Sequence, residues 1–264
     1  MKIACVQMDI AFGNPEANFQ QVLSYLEEAA ANGADVIVLP EMWNTGYALT
    51  ELENLADSNL RTVAFLQDFA KTHGVHIVGG SVSTKKNDGF YNTMYVVNKT
   101  GELISEYDKA HRFGLMDEHI HLNEGQSLGI FELDGTLCGG VICYDIRFPE
   151  WIRSQVLNGA KVIFVPAEWP EARIDHWRIL LQARAIENQC FVVAVNRVGS
   201  DPKNEFGGSS MIIAPWGEIR LDMKKETGIG YCDIELNEVE EVRKRIPVFA
   251  DRREALYKKA EKVK

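Results

Sequence analysis

The sequence predicts an α/β protein in which mixed β-sheets are covered by helices on their outer faces. Three observations carry that expectation. Apolar runs of strand length alternate with segments of helical periodicity, and glycine-containing turns join other strands as hairpins. The run after Gly33, residues 34–39, is apolar on both strand faces from Val36 onward, the pattern of a strand that must be covered on both sides.

Along the chain, a strand is expected over 2–9. Asn14-Pro15 then supplies a cap and a first-turn proline for a helix whose Phe19, Val22, Leu23, Leu26, Ala29 and Ala30 share a face, and Gly33 ends it. The strand over 34–39 stops at Pro40-Glu41, which completes a βαβ unit. A second amphipathic helix falls within 55–72, followed by a strand near 75–82. Asp88-Gly89 and Thr100-Gly101 mark turns around strands at 91–98 and about 102–108. Asp134-Gly135 is a hairpin turn leading into a buried strand at 136–142, and Pro149 suits the first turn of a short helix. A strand at 161–166, a helix at 174–188, a strand at 191–197 and strands at about 208–214 and 229–234 complete the pattern. The first of that last pair ends in the turn Pro215-Trp216-Gly217-Glu218. No linker rich in Pro, Gly or Ser divides the chain and no repeat has a fixed period, so residues 1–264 are expected to form one domain. The stretch 246–264 mixes Pro247, Val248, Phe249 and Leu256 with charges, as a tail packed at a subunit interface would.

A net charge of −10 opposes nucleic acid as a partner, because phosphate binding needs a basic face. The N-terminus enters a strand pattern at once, without the apolar run of a signal peptide, so a cytoplasmic protein with no membrane partner is expected. The cysteines at 5, 138, 143, 190 and 232 are odd in number and form no Cys-x-x-Cys pair, which argues against a disulfide framework or a zinc ribbon. Apart from Cys143 they lie in apolar runs and read as core. The histidines at 73, 76, 111, 119, 121 and 176 make no His-Glu-x-x-His motif; only 119 and 121 would face one way, on an extended segment. No metal or cofactor is expected.

Reactive groups of α/β proteins gather where strands end and side chains turn into a crevice. Glu41, Lys109 and Cys143 each end such a strand. The competing reading for Glu41 and Lys109 is a solvated charge, and for Cys143 a packed thiol. Cys143 lies between a strand and a helix, where free N–H groups and the helix dipole are expected to favour its thiolate.

The segments Leu39-Pro40-Glu41, Tyr107-Asp108-Lys109-Ala110-His111 and Ile142-Cys143-Tyr144-Asp145-Ile146-Arg147-Phe148-Pro149-Glu150 resemble, in order, the three signature segments of the nitrilase superfamily of carbon-nitrogen hydrolases. The similarity extends from Lys2-Ile3-Ala4-Cys5-Val6-Gln7 through Asn92-Thr93 to Asp251-Arg252-Arg253. Pro166-Ala167-Glu168-Trp169-Pro170, Ile174-Asp175-His176-Trp177 and Ala183-Arg184-Ala185-Ile186-Glu187-Asn188-Gln189 resemble the ω-amidase-like branch, whose bacterial members act on amides of short 2-oxo acids.

That resemblance implies a four-layer αββα sandwich, with two mixed sheets between outer helices, and at least a homodimer. It also implies a Glu41, Lys109 and Cys143 triad that hydrolyses a carbon-nitrogen bond of a small amide through a thioester, releasing ammonia. Glu118 would be a second active-site glutamate, with Asp117 its rival. Tyr144 would offer an N–H to the oxyanion, Trp169 would wall the acyl pocket and Tyr47 would lie near its mouth. For Trp169 and Trp177, core packing is the competing reading. Arg147, Arg173 and Arg184 are the arginines available for a substrate carboxylate, although Arg147 could instead pair with Asp145 or Glu150. Nitrile and N-carbamoyl amide hydrolysis remain alternatives with the same triad, as does a non-catalytic binding protein of the same fold.

Overall fold

In the computed structural model, which describes residues 1–260, a seven-stranded and a six-stranded sheet lie face to face between two layers of helices. Strand alternation assigns the faces. Ile3 and Cys5, like Val36 and Val38, point into the core between the sheets, whereas Ala4, Val6, Ile37 and Leu39 pack under Val22 and Leu26 of helix Pro15–Ala31 and Leu66 of helix Arg61–His73. On the far side Ile152 and Val156 of helix Pro149–Leu157 and Trp177, Leu181 and Ala185 of helix Ile174–Asn188 cover the second sheet. This is the four-layer αββα sandwich.

The first sheet runs in the order Gly228–Asp233, Lys2–Gln7, Val36–Val38, His76–Val78, Gly89–Val97 and Val82–Lys86, with Leu103–Asp108 also paired to Gly89–Val97. The second runs Ile219–Asp222, Met211–Ile213, Phe191–Asn196, Val162–Ala167, Thr136–Gly140 and Ile130–Leu133. Each has a parallel centre and antiparallel edges, so both are mixed.

The structure differs from the sequence reading in several places. The strand expected over 75–82 is two strands, His76–Val78 and Val82–Lys86, that pair with different parts of Gly89–Val97. The break lies at Gly79-Gly80, where φ of Gly80 is +59° and a β-carbon would come within 2.0 Å of the Pro40 carbonyl. Strand Ile219–Asp222, the ribbon Val198–Ser200 with Glu205–Gly207, and helix Asn237–Arg245 carry too few apolar residues to stand out; the helix buries only Val239 and Val242. Cys5, Cys138 and Cys190 are core residues, but Cys232 is half-buried. The C-terminal stretch holds helix Glu254–Ala260 with Leu256 and Tyr257 exposed, and residues 261–264 of the expected tail lie outside the described residues. Among the described residues no helix is long and apolar enough to cross a membrane.

Candidate active site

Glu41 follows strand Val36–Val38 in a turn fixed from the neighbouring strand end: Leu39 N–H donates to the Val78 carbonyl, Ser81 N–H to the Pro40 carbonyl, and Met42 N–H to Ser81 Oγ. Lys109 follows Leu103–Asp108, held by its own N–H on the Asn92 carbonyl. Cys143 opens the short 3-10 helix Cys143–Arg147 after strand Thr136–Gly140, with φ +45°, a left-handed conformation that a non-glycine residue adopts only when its surroundings impose it. Buried Asp145 does so. It accepts Ile142 N–H and the Tyr107 hydroxyl on Oδ2, and His111 N–H on Oδ1, tying the cysteine turn to the lysine segment. Asp145 is thus taken up by these donors, and Arg147 pairs with neither it nor Glu150, its polar contact being His176.

The three side chains converge. Lys109 Nζ donates to Glu41 Oε1 at 2.8 Å and to Glu118 Oε1 at 2.6 Å, and all three groups are buried. Glu41 Oε1 also accepts Asn92 Nδ2–H at 2.8 Å, and Oε2 accepts the backbone N–H of Glu168 at 2.7 Å. Cys143 lies near enough to Glu41, Lys109 and Glu118 for their charges to act on its thiol. Glu118 Oε2 accepts Phe113 N–H at 2.6 Å, while Asp117 sits at φ +62° and points to Lys203, so Glu118 is the acid that reaches the lysine. Among the described residues no group of three His, Cys, Asp or Glu side chains could hold a metal ion. His119 and His121 lie on helix Glu118–His121 rather than on an extended segment, and do not share a face.

Burial, then the charge of Glu41, push the Cys143 thiol well above its usual range, and Lys109 opposes them only in part. This overturns the expectation of a stabilised thiolate. Desolvation and the Glu41 carboxylate outweigh one lysine and the N–H groups of a five-residue helix, so the resting group is a thiol that needs a base. Burial also works against the Lys109 charge, but Glu118 and Glu41 hold its ammonium protonated well above the usual lysine range. Glu118 is raised by burial, with Lys109 opposing.

A narrow pocket of about 10 Å³ opens onto Cys143, walled by Phe113, Met116, Tyr144, Trp169 and Arg173, with Arg147 and Glu168 also on it. Trp169 lies beneath the Arg147 guanidinium at 4.7 Å, and Arg173 stacks on Phe113 at 5.4 Å. Among the described residues neither arginine has a carboxylate within ion-pair distance; the polar neighbour of Arg147 is His176 at 3.4 Å. Arg184 is spent elsewhere, on the Ile146 carbonyl and Glu187, and Trp177 is core, its indole N–H on the Ser209 carbonyl. Tyr47 lines an outer cavity of about 380 Å³, separated from the inner pocket by Met116, and its hydroxyl reaches inward to Glu41 and Glu118. Residues that the sequence reading missed are Asn92, the Glu168 backbone and the buried Glu168–Arg197 pair (2.9 Å). For Asn92 and the Glu168–Arg197 pair, polar residues inside otherwise apolar runs were the available signal; for the Glu168 N–H there was none.

Comparison with known proteins agrees with this architecture. The family model for carbon-nitrogen hydrolases matches residues 2–244. The chain is 53% identical over 256 residues to a 2-oxoglutaramate amidase of Bacillus subtilis, covering 97% of this chain and 98% of the relative. It is 35% identical to the omega-amidase YafV of Escherichia coli K12, covering 95% and 96%. The crystal structure of XC1258 from Xanthomonas campestris, a CN-hydrolase superfamily protein with an arsenic adduct in its active site, superposes with a TM-score of 0.90 at 30% identity, over 96% of this chain and 97% of that one. With a matching sandwich and near end-to-end similarity, this chain belongs to the carbon-nitrogen hydrolase family.

Proposed function

We propose that the chain hydrolyses the ω-amide of a short 2-oxo acid such as 2-oxoglutaramate, with Cys143 as nucleophile, Glu41 as general base and then acid, and Lys109 as the cation facing the oxyanion. The observation that carries the substrate class is the pair Arg147 and Arg173 on the Cys143 pocket, two guanidiniums with no carboxylate partner among the described residues. Burial lowers the hold of Arg147 on its proton, and the like charge of Arg173 adds to the effect. An anionic ligand would relieve that repulsion and supply the missing bidentate partner. The name of the B. subtilis relative points to the same substrate class.

In the proposed cycle Glu41 takes the thiol proton as sulfur attacks the amide carbonyl, and the oxyanion is met by Lys109 and the N–H of Tyr144. That N–H lies in the first turn of the 3-10 helix, where N–H groups have no partner within the helix. One such donor is worth roughly 3–4 kcal/mol. Glu41 then protonates departing ammonia, and water activated by the same carboxylate hydrolyses the thioester. Trp169 walls the acyl group, and Glu118 fixes Lys109. The working unit is a cytoplasmic homodimer or higher oligomer, each chain a single domain with the stretch 246–260 packed at the interface.

The test is ammonia release from 2-oxoglutaramate, 2-oxosuccinamate, glutamine, asparagine, a small nitrile and an N-carbamoyl amino acid, with Cys143→Ala as control. Turnover of the 2-oxo amides that vanishes in the variant supports the proposal. Turnover of the nitrile or the carbamoyl compound instead replaces the substrate and keeps the nucleophile. Silence on all six, with no selective iodoacetamide labelling of Cys143, favours a binding protein of this fold.

A further inference from the structure

The Tyr47 phenol has one proton to donate, and two carboxylate oxygens stand against its oxygen: Glu41 Oε1 at 2.8 Å and Glu118 Oε1 at 2.5 Å. The Lys109 ammonium does not fill the deficit, because it already donates to the same two oxygens and lies 3.4 Å from the phenol. Were both carboxylates ionised, one of the two contacts would set lone pair against lone pair inside a buried site, where nothing screens them. We propose that Glu41 and Glu118 share one resident proton through the Tyr47 hydroxyl, which makes Tyr47 a positioning and proton-relay residue between the two carboxyls.

The donor inventory says where that proton rests. Leaving the shared phenol aside, Glu41 accepts from Asn92, Lys109 and the Glu168 N–H, whereas Glu118 accepts from Lys109 and the Phe113 N–H. Glu118 therefore carries the proton in the resting enzyme and donates it to the phenol oxygen, while the phenol donates its own to Glu41. Shifting both protons together turns Glu118 into the carboxylate and Glu41 into the acid, leaves the phenol unchanged and keeps the total charge of the three groups the same. Burial, then the negative charge that the Glu118–Glu41 pair retains, holds the phenol protonated well above its usual range, so a free phenolate is avoided. The groups facing Tyr47 are Glu41, Glu118, Lys109, Cys143 and Glu168 on the inside, and Asp117, His121, Asp201 and Lys203 around the outer cavity. The position of the shared proton decides whether Glu41 stands ready as base or as acid, so the inference rests on reading Glu41 as the proton-transfer group.

Infrared spectra of the resting enzyme in D₂O test the inference without turnover, so a wrong substrate assignment leaves this arm intact. A protonated-carboxyl C=O band should be present in the wild type, absent in Glu118→Gln and shifted in frequency in Tyr47→Phe. In Tyr47→Phe the ionised Glu41 loses a donor, so the acidic limb of the kcat/KM profile should move up by ~1 pH unit with KM nearly unchanged. The lack of a band that depends on Glu118, a Glu118 band indifferent to Tyr47→Phe, or an unmoved pH profile in a folded Tyr47→Phe would each overturn the relay. Should Tyr47→Phe fail to fold, the Glu118→Gln spectrum decides alone.

Discussion

Cys143 combines a left-handed backbone, burial and a thiol pushed up by its surroundings, so its reactivity has to come from Glu41. Three predictions belong at this scale. Cys143→Ala should reduce turnover to background, and Glu41→Gln should lower kcat by at least ~10³-fold while thermal unfolding shows a native transition, since the amide keeps the side chain's shape. In Glu41→Gln, iodoacetamide labelling of Cys143 should keep rising by about tenfold per pH unit through pH 9, because the thiolate of a raised thiol forms only in alkali; a plateau below pH 8 would contradict the assigned direction. Glu41 and Cys143 stood out because each ends an apolar strand, whereas Lys109 follows the half-polar strand Leu103–Asp108 and was joined to them through the family resemblance. Asn92 and Glu168 were not. They meet Glu41 from 51 and 127 residues away, and Glu168 does so through its main chain, which no side-chain pattern reports.

Among the elements, the Gly79-Gly80 break matters most to the site, because it lets the Pro40-Glu41 turn lie against the next strand end. Gly80→Ala combines a positive φ with a 2.0 Å approach to the Pro40 carbonyl. It should destabilise the protein by about 2–4 kcal/mol in urea unfolding and displace Glu41, so activity at low temperature should fall as well. The segment from Phe113 to His121 sets the size of the inner pocket, and Met116 stands between it and the outer cavity. Met116→Ala should relax discrimination by acyl length, raising kcat/KM for a longer amide relative to a short one by about tenfold in paired assays. Strongly periodic elements were legible: helix Ile174–Asn188 appears where its spacing put it. The break at Gly79 was not, since two glycines in an apolar run fit a bulge, a bend or a strand end equally well.

For the whole molecule, two strands of opposite-facing apolar residues and the outer amphipathic helices made a layered α/β fold readable, while the pairing of the two sheets came only through the family resemblance. Leu157, Ile179, Ile186, Trp216, Leu256 and Tyr257 leave apolar surface exposed on this chain. The proposed homodimer predicts a solution mass of at least twice the chain's by light scattering, and Ile186→Asp should lower it.

The guanidinium of Arg197 joins parts that the chain brings from far apart: Asp9 and the Ile10 carbonyl beyond the first strand of one sheet, and Glu168 at the end of a strand of the other. Mechanically it is a rivet through both sheets, set beside the residue whose N–H steadies Glu41. Fraying that starts in either sheet should therefore reach this corner last. Amide hydrogens at 167, 168 and 195–197 should exchange only through global opening, and on heating the enzyme should lose catalysis and fold in one transition, with no native-like inactive form between them.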